Sequence, residues 1–262
     1  MITFAPLCRA AAVLALALLA PIALAQPAPE RPPTGEAIAL KKLLEQRFPG
    51  APITNVSKTA YSGLYEALLE DRLIYTDAKA SYVLIGNLYD ANSKRNLTEE
   101  RQRKLNRVAF DQLPLDLAFK RVKGNGSRKL AIFSDADCPF CARFENDLKS
   151  IDNVTIYTFL FPIDQLHPDA ARKSRLIWCA PDRVKAWDAF FDNGALPDNK
   201  GDCKDPILAT AALAQKLKVT ATPTLIFADG SVVPGALPAP QLEAEFQNAE
   251  AELKKLAAAA KK

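Results

Sequence analysis

Phe133-Ser134-Asp135-Ala136-Asp137-Cys138-Pro139-Phe140-Cys141 is the stretch on which the reading of the whole chain turns. The apolar run over 130–133 predicts a strand and the pattern over 139–150 a helix, so both cysteines fall at a strand-to-helix junction. A thiol there feels the partial positive charge and unpaired N–H groups of the helix N-terminus, which favour the thiolate, the form that attacks disulfides. Pro139 suits the first helical position, where no N–H donor is needed. Two intervening residues bring the second sulfur one turn along the same face, where it can expel the first from a mixed disulfide. Asp135 and Asp137 act in the opposite sense, because nearby negative charge disfavours thiolate. The competing readings of the pair are a structural disulfide and half of a zinc site, but a four-cysteine zinc site usually has two short-spaced pairs, and Cys179 and Cys203 are far apart.

Further along, Thr220-Ala221-Thr222-Pro223-Thr224 leads into an apolar strand expected over 224–227. A proline opening a strand can be cis, and beside an active thiol it would present the backbone of Thr222 to an extended substrate by strand-like pairing. Thr222 and Pro223 are therefore the candidate substrate-binding residues. Cys179 and Cys203 read as a structural bridge, since closing a loop of about 25 residues contributes on the order of 3.5 kcal/mol in the chain-entropy model. The alternative, a second exchange centre, lacks the close spacing. His167 is the only histidine; with Pro168 after it and acids around it, it reads as a surface-loop residue rather than a catalytic base.

The N-terminus reads as an export signal. Residues 1–9 carry one positive charge and no acid, 10–20 are an eleven-residue run of Ala, Leu and Val, and Ala23-Leu24-Ala25 is a small-residue cleavage site that puts the mature start at Gln26. The run is too short to span a bilayer. Cleavage removes Cys8 and leaves four cysteines, an even count for an oxidising compartment where thiols either pair structurally or do redox work.

Residues 26–36 are a Pro-rich lead-in. A helix over 37–48 and strand-like runs over 64–69, 73–76 and 81–88 predict a helix with a small antiparallel sheet, whose thin core would lean on a partner surface. Thr98 is the expected N-cap of a mostly polar connecting helix that Pro114 ends. From 115 the alternation is of the α/β kind, with strands over 117–122, 130–133, 154–161 and 224–227. Helices are expected over 139–150, 169–179, 183–191 and 207–217, and from about Pro240 to the end. With 49% hydrophobic and 24% charged residues, disorder throughout is excluded. A net charge of +4, from 34 basic against 30 acidic residues, leaves no nucleic-acid footprint.

A strand, Cys138-Pro139-Phe140-Cys141 opening a helix, and Thr222-Pro223-Thr224 before a strand together resemble the thioredoxin-fold pattern. The fuller layout is similar to the bacterial periplasmic disulfide isomerases of the DsbC/DsbG family. The shared features are the export signal, Gly86-Asn87-Leu88-Tyr89-Asp90, the connecting helix, Phe133-Ser134-Asp135, Ile177-Trp178-Cys179 and Val233-Pro234-Gly235. Cys179 with Cys203 looks like the structural bridge of the DsbC branch, whereas Pro139-Phe140 looks more like the Pro-Tyr of the DsbG branch than the Gly-Tyr of the DsbC branch. The resemblance implies an α+β N-terminal dimerisation domain over 37–97, a linker helix over 98–114 and, over 115–262, a C-terminal α/β thioredoxin-like catalytic domain with a helical insertion. It implies a periplasmic homodimer with two active sites facing an apolar cleft, and Cys138 and Cys141 as the catalytic dithiol. The implied partners are misfolded disulfide-containing exported proteins and a membrane thiol reductase that keeps the dithiol reduced, with no nucleic acid. No metal or organic cofactor is implied, since two sulfurs carry the electrons. The implied activity is isomerisation or reduction of wrong disulfides; the competing activities are reduction of sulfenylated cysteines and a dimeric chaperone without chemistry.

Overall fold

The structure, a computed structural model, describes residues 34–61, 63–70 and 72–259, so the stretch over 1–25 expected as an export signal and most of the expected lead-in lie outside the described residues. Thr34 caps α1 (Gly35–Arg47), its Oγ1 accepting from the Ala37 N–H at 3.3 Å, so the first helix starts inside the stretch expected as lead-in. Leu40 and Leu44 of α1 pack against a four-stranded antiparallel sheet of β1 (Ile53–Lys58), β2 (Tyr65–Leu69), β3 (Arg72–Thr76) and β4 (Val83–Leu84), in that order. β1 was not separately legible: its buried residues Ile53 and Val56 are three apart rather than alternating, and it carries an irregularity between Thr54 and Ser57, with Asn55 at φ 52°. Both faces of the centre of this sheet are covered. Tyr65, Ala67 and Ile74 meet α1, and Leu68, Leu73 and Tyr75 meet Leu88 and Leu105 on the other side. The thin core therefore leans first on the connecting helix of its own chain.

That helix, α2 (Leu97–Leu105), is capped by Asn96, whose side chain accepts from the Glu99 N–H, rather than by Thr98. Thr98 is occupied elsewhere: its buried hydroxyl lies 2.7 Å from the Tyr75 hydroxyl and accepts from the Leu88 N–H at 2.8 Å. The helix is also shorter than the expected 98–114. Beyond Leu105 the chain makes two short 3-10 turns, Phe110–Gln112 and Leu115–Leu117, and Phe110 and Leu113 enter the core of the following sheet. The change of course is fixed where the Val108 N–H donates to the Gly230 carbonyl at 2.9 Å. Gly230 sits at φ +87°, and a Cβ there would collide with the Val108 carbonyl, so glycine meets both demands.

The second sheet has the order β5 (Phe119–Lys123), β7 (Val154–Leu160), β6 (Arg128–Ser134), β8 (Thr224–Phe227) and β9 (Val232–Pro234). β6 and β7 are parallel and the other pairs antiparallel. Central β6 is apolar on both faces, as a strand covered twice must be. Leu130 and Ile132 face α3 (Pro139–Leu148) and α7 (Ala239–Ala259), through Phe144, Leu148, Leu242 and Phe246. Ala131 and Phe133 face Phe110, Phe159 and Ala214 of α6 (Ile207–Lys216). Between β7 and α6 lie α4 (Ala170–Trp178) and α5 (Arg183–Asn193), a helical insertion packed through Ile177, Trp178 and fully buried Trp187 onto Phe119 and Leu160. Cys179 and Cys203 are joined by a disulfide across this insertion, with Cα atoms 5.7 Å apart. β9 was missed in the sequence because three residues are too short for an alternation to show. Among the described residues no helix is long and apolar enough to cross a membrane.

Candidate functional site

The end of β6, the start of α3 and the turn before β8 meet at one corner of the second sheet. Cys138 occupies the N-cap position of α3 and Pro139 its first helical position, so the Cys138 sulfur faces the N–H groups of Phe140 and Cys141. Cys141 points inward one turn later. Both thiols are free, with Cys141 wholly buried and Cys138 only 4% exposed. Phe140 between them is well exposed. The Thr222–Pro223 peptide is cis, and the Cys138 S–H donates to the Thr222 carbonyl at 3.3 Å across 84 positions of sequence. Thr222 and Pro223 are themselves buried, Pro223 behind the turn where its carbonyl accepts from the Gly235 N–H at 2.7 Å.

The two sulfurs are driven apart electrostatically. A hydrogen bond from Cys141 does most to bring Cys138 down to about 5, helped by the Thr222 side chain and the N–H groups of Cys141 and Phe140, against a desolvation cost. Burial pushes Cys141 well above the usual thiol range, and its hydrogen bond to Cys138 adds to this. One sulfur is therefore a thiolate at neutral pH and its neighbour a retained proton donor.

The acids that were expected to oppose the thiolate are each held by a partner side chain. Asp137 is paired with Lys173 of α4 at 2.5 Å. Asp135 is fully buried and turned away: its Oδ1 accepts from the Asp137 N–H at 2.8 Å, and its Oδ2 accepts from the Ile163 N–H at 2.8 Å and lies 2.9 Å from His167 Nδ1. His167 is thus not the free surface residue expected. Its side chain is 20% exposed and its ring is held above the ordinary imidazole range, chiefly by the hydrogen bond to Asp135. Nothing local in the sequence signals this contact, because 32 positions separate the partners.

Sequence reasoning also missed the support beneath α3. Glu145, buried on the helix one turn past Cys141, accepts from Trp187 Nε1 at 2.9 Å and from Arg121 of β5 at 2.7 Å; Arg121 also reaches Asp188 at 2.7 Å. The active-site helix is thereby fastened to the bridged insertion.

Known proteins carry the same layout. The family description "Thioredoxin-like domain" matches residues 115–250, and "Disulfide bond isomerase protein N-terminal domain" matches 23–99. The probable thiol:disulfide interchange protein DsbC of Bordetella parapertussis is 44% identical over 214 residues, covering 82% of this chain and 75% of that protein. The DsbC of Dickeya dadantii is 26% identical over 220 residues, covering 82% and 89%. The crystal structure of a disulfide interchange protein from Neisseria gonorrhoeae is 44% identical, with a TM-score of 0.50, over 52% of this chain and 97% of that one.

Proposed function

The chain belongs to the DsbC family of thiol:disulfide interchange proteins, and we propose that its exchange chemistry starts at Cys138. The observation that carries this is the division of the dithiol, with Cys138 lowered to about 5 at a helix N-terminus and Cys141 buried and raised behind it. The Cys138 thiolate attacks one sulfur of a substrate disulfide; the S–S bond breaks, a Cys138–substrate bond forms, and the other substrate sulfur leaves as a thiolate. A second substrate thiolate then attacks the substrate sulfur of this mixed disulfide, forming a new pairing and returning the Cys138 thiolate. Alternatively Cys141 loses its proton and attacks the Cys138 sulfur, which expels a reduced substrate and leaves a Cys138–Cys141 disulfide. An external dithiol must then give up two electrons to restore the enzyme, the part assigned to a membrane thiol reductase.

Thr222 contributes its carbonyl. The thiol form of Cys138 donates to it, and the thiolate or mixed disulfide cannot, so the carbonyl is then open to a backbone N–H of an extended substrate beside the reacting bond. Because Cys138 is nearly buried, the incoming disulfide enters past Phe140.

The chain is exported and works in the periplasm as a homodimer on misfolded disulfide-containing proteins. The export signal supports the compartment. The dimer is supported by the edge of the first sheet, where β4 pairs with β3 on one side and Tyr82, Leu84 and Ile85 are exposed around it.

The test is recovery of activity by a scrambled multi-disulfide protein in a glutathione buffer, with the reduced enzyme compared with Cys138→Ser and Cys141→Ser. Recovery lost in Cys138→Ser and partly kept in Cys141→Ser is the expected result. No recovery above buffer with a demonstrably reduced dithiol would refute isomerisation.

A further inference from the structure

We propose that His167 is a redox-linked proton site: reducing the Cys138–Cys141 disulfide draws a proton onto the His167–Asp135 pair, and the resulting imidazolium supports the Cys138 thiolate. This rests on the reading of Cys138 as the attacking thiol and adds a positioning residue to it. Asp135 is the physical link. Its backbone N–H donates to the Cys141 sulfur at 3.5 Å, its carbonyl accepts from the Cys138 N–H at 3.2 Å, and its carboxylate holds His167. A buried carboxylate in contact with both cysteine residues would repel a thiolate, and protonating His167 cancels that charge at its source.

The groups around the ring are few. Asp135 faces it from the end of β6, Asp137 and Cys138 act on it from the turn into α3, and Asp169 and Lys173 lie on the first turn of α4, with Asp164 in its own loop. Asp169 is bonded to Arg172 and Asp137 to Lys173, and of the charges that act on His167 Asp135 comes first, ahead of the Cys138 sulfur and Asp137. The sulfur is the one that changes with redox state, and its coupling to the ring acts in the direction required.

The balance is as follows. The disulfide takes up two electrons and one proton to give Cys138 thiolate and Cys141 thiol. The new negative charge raises the proton affinity of His167, so near neutral pH a further fraction of a proton is bound there rather than on Cys138. Coupling is reciprocal, so the imidazolium must in turn favour the thiolate.

Because this is the only histidine, its ring resonance can be assigned by inspection in the full chain. Its NMR titration is to be followed in the oxidised protein, the reduced protein and reduced Cys138→Ser. We expect proton affinity about two- to fivefold higher in the reduced protein than in the other two. Coincident midpoints in all three would overturn the proposal. His167→Asn, which keeps a donor for Asp135 but no charge, is expected to slow iodoacetamide labelling of Cys138 about 1.5- to threefold at about pH 5, and His167→Lys to restore it. An unchanged labelling profile in His167→Asn would also refute the coupling. If Cys138 itself shows no acid-shifted labelling in the wild type, the reading of Cys138 as nucleophile fails and takes this inference with it; if Cys138 titrates low while His167 ignores redox state, the inference alone fails.

Discussion

The turn carrying Cys138 and Cys141 and the insertion carrying Cys179 and Cys203 lie in the same domain, and each holds two sulfurs. In the first, the sulfurs sit one turn apart at a helix start, free, with one proton affinity pulled down and the other pushed up. In the second, 24 positions of chain separate them and they are joined across packed helices. The difference teaches that the surroundings of a sulfur decide its role: a helix N-terminus and a facing carbonyl for exchange, a long closed loop for reinforcement.

The most damaging change to the comparison is Cys138→Ser, which should bring disulfide interchange down to the level of the buffer, while a Cys179→Ala/Cys203→Ala double variant keeps it wherever it remains folded. Activity lost equally in both, at temperatures where both are folded, would break the distinction. Next is Glu145→Ala, which takes from part-buried Arg121 one of its two carboxylates, leaves the buried Trp187 N–H without its acceptor and removes a tie between the two regions. It should cost about 3–5 kcal/mol in urea unfolding. The double cysteine variant should cost slightly less, about 3.5 kcal/mol from the loop it opens, and leave the labelling rate of Cys138 unchanged.

The two pairs also differ in pH dependence. Cys138 has its proton affinity depressed on folding, from 9.0 to about 5, so in the reduced protein its stabilising contribution is present above the unfolded value and is lost as pH falls toward about 5. Cys141 is raised, so its contribution is present below the ordinary thiol value and lost above it. The stability of reduced wild type relative to Cys138→Ser should therefore grow from about pH 5 to about pH 9, as unfolding across pH would report. The oxidised protein, whose cysteines do not titrate, should show no such slope, and neither should the bridged pair contribute one.

Much of this was legible in the sequence because local patterns carried it. The apolar run ending at Phe133, Pro139 at the first helical position and Thr224–Phe227 after Pro223 are each decided by neighbours in the chain, and the elements fall close to where they were expected. The resemblance of the whole layout agrees with the family to which the chain belongs. What was hidden depends on distant partners. Asn96 and Thr98 are both good caps, and only the Tyr75 hydroxyl and the Leu88 N–H, which engage Thr98, decide for Asn96. The connecting helix stops at Leu105 because the chain beyond it is fastened at Gly230 and through Arg107 to Asp229 and Glu252, none of them nearby in sequence. His167 and Glu145 acquire their roles in the same way, from Asp135, Arg121 and Trp187.

The most direct test of the division within the dithiol is limited alkylation of the reduced full chain with iodoacetamide at about pH 6, followed by peptide mass spectrometry. The account predicts that Cys138 is modified first and Cys141 is spared until Cys138 is blocked or the protein unfolds. Equal or earlier modification of Cys141 would contradict it.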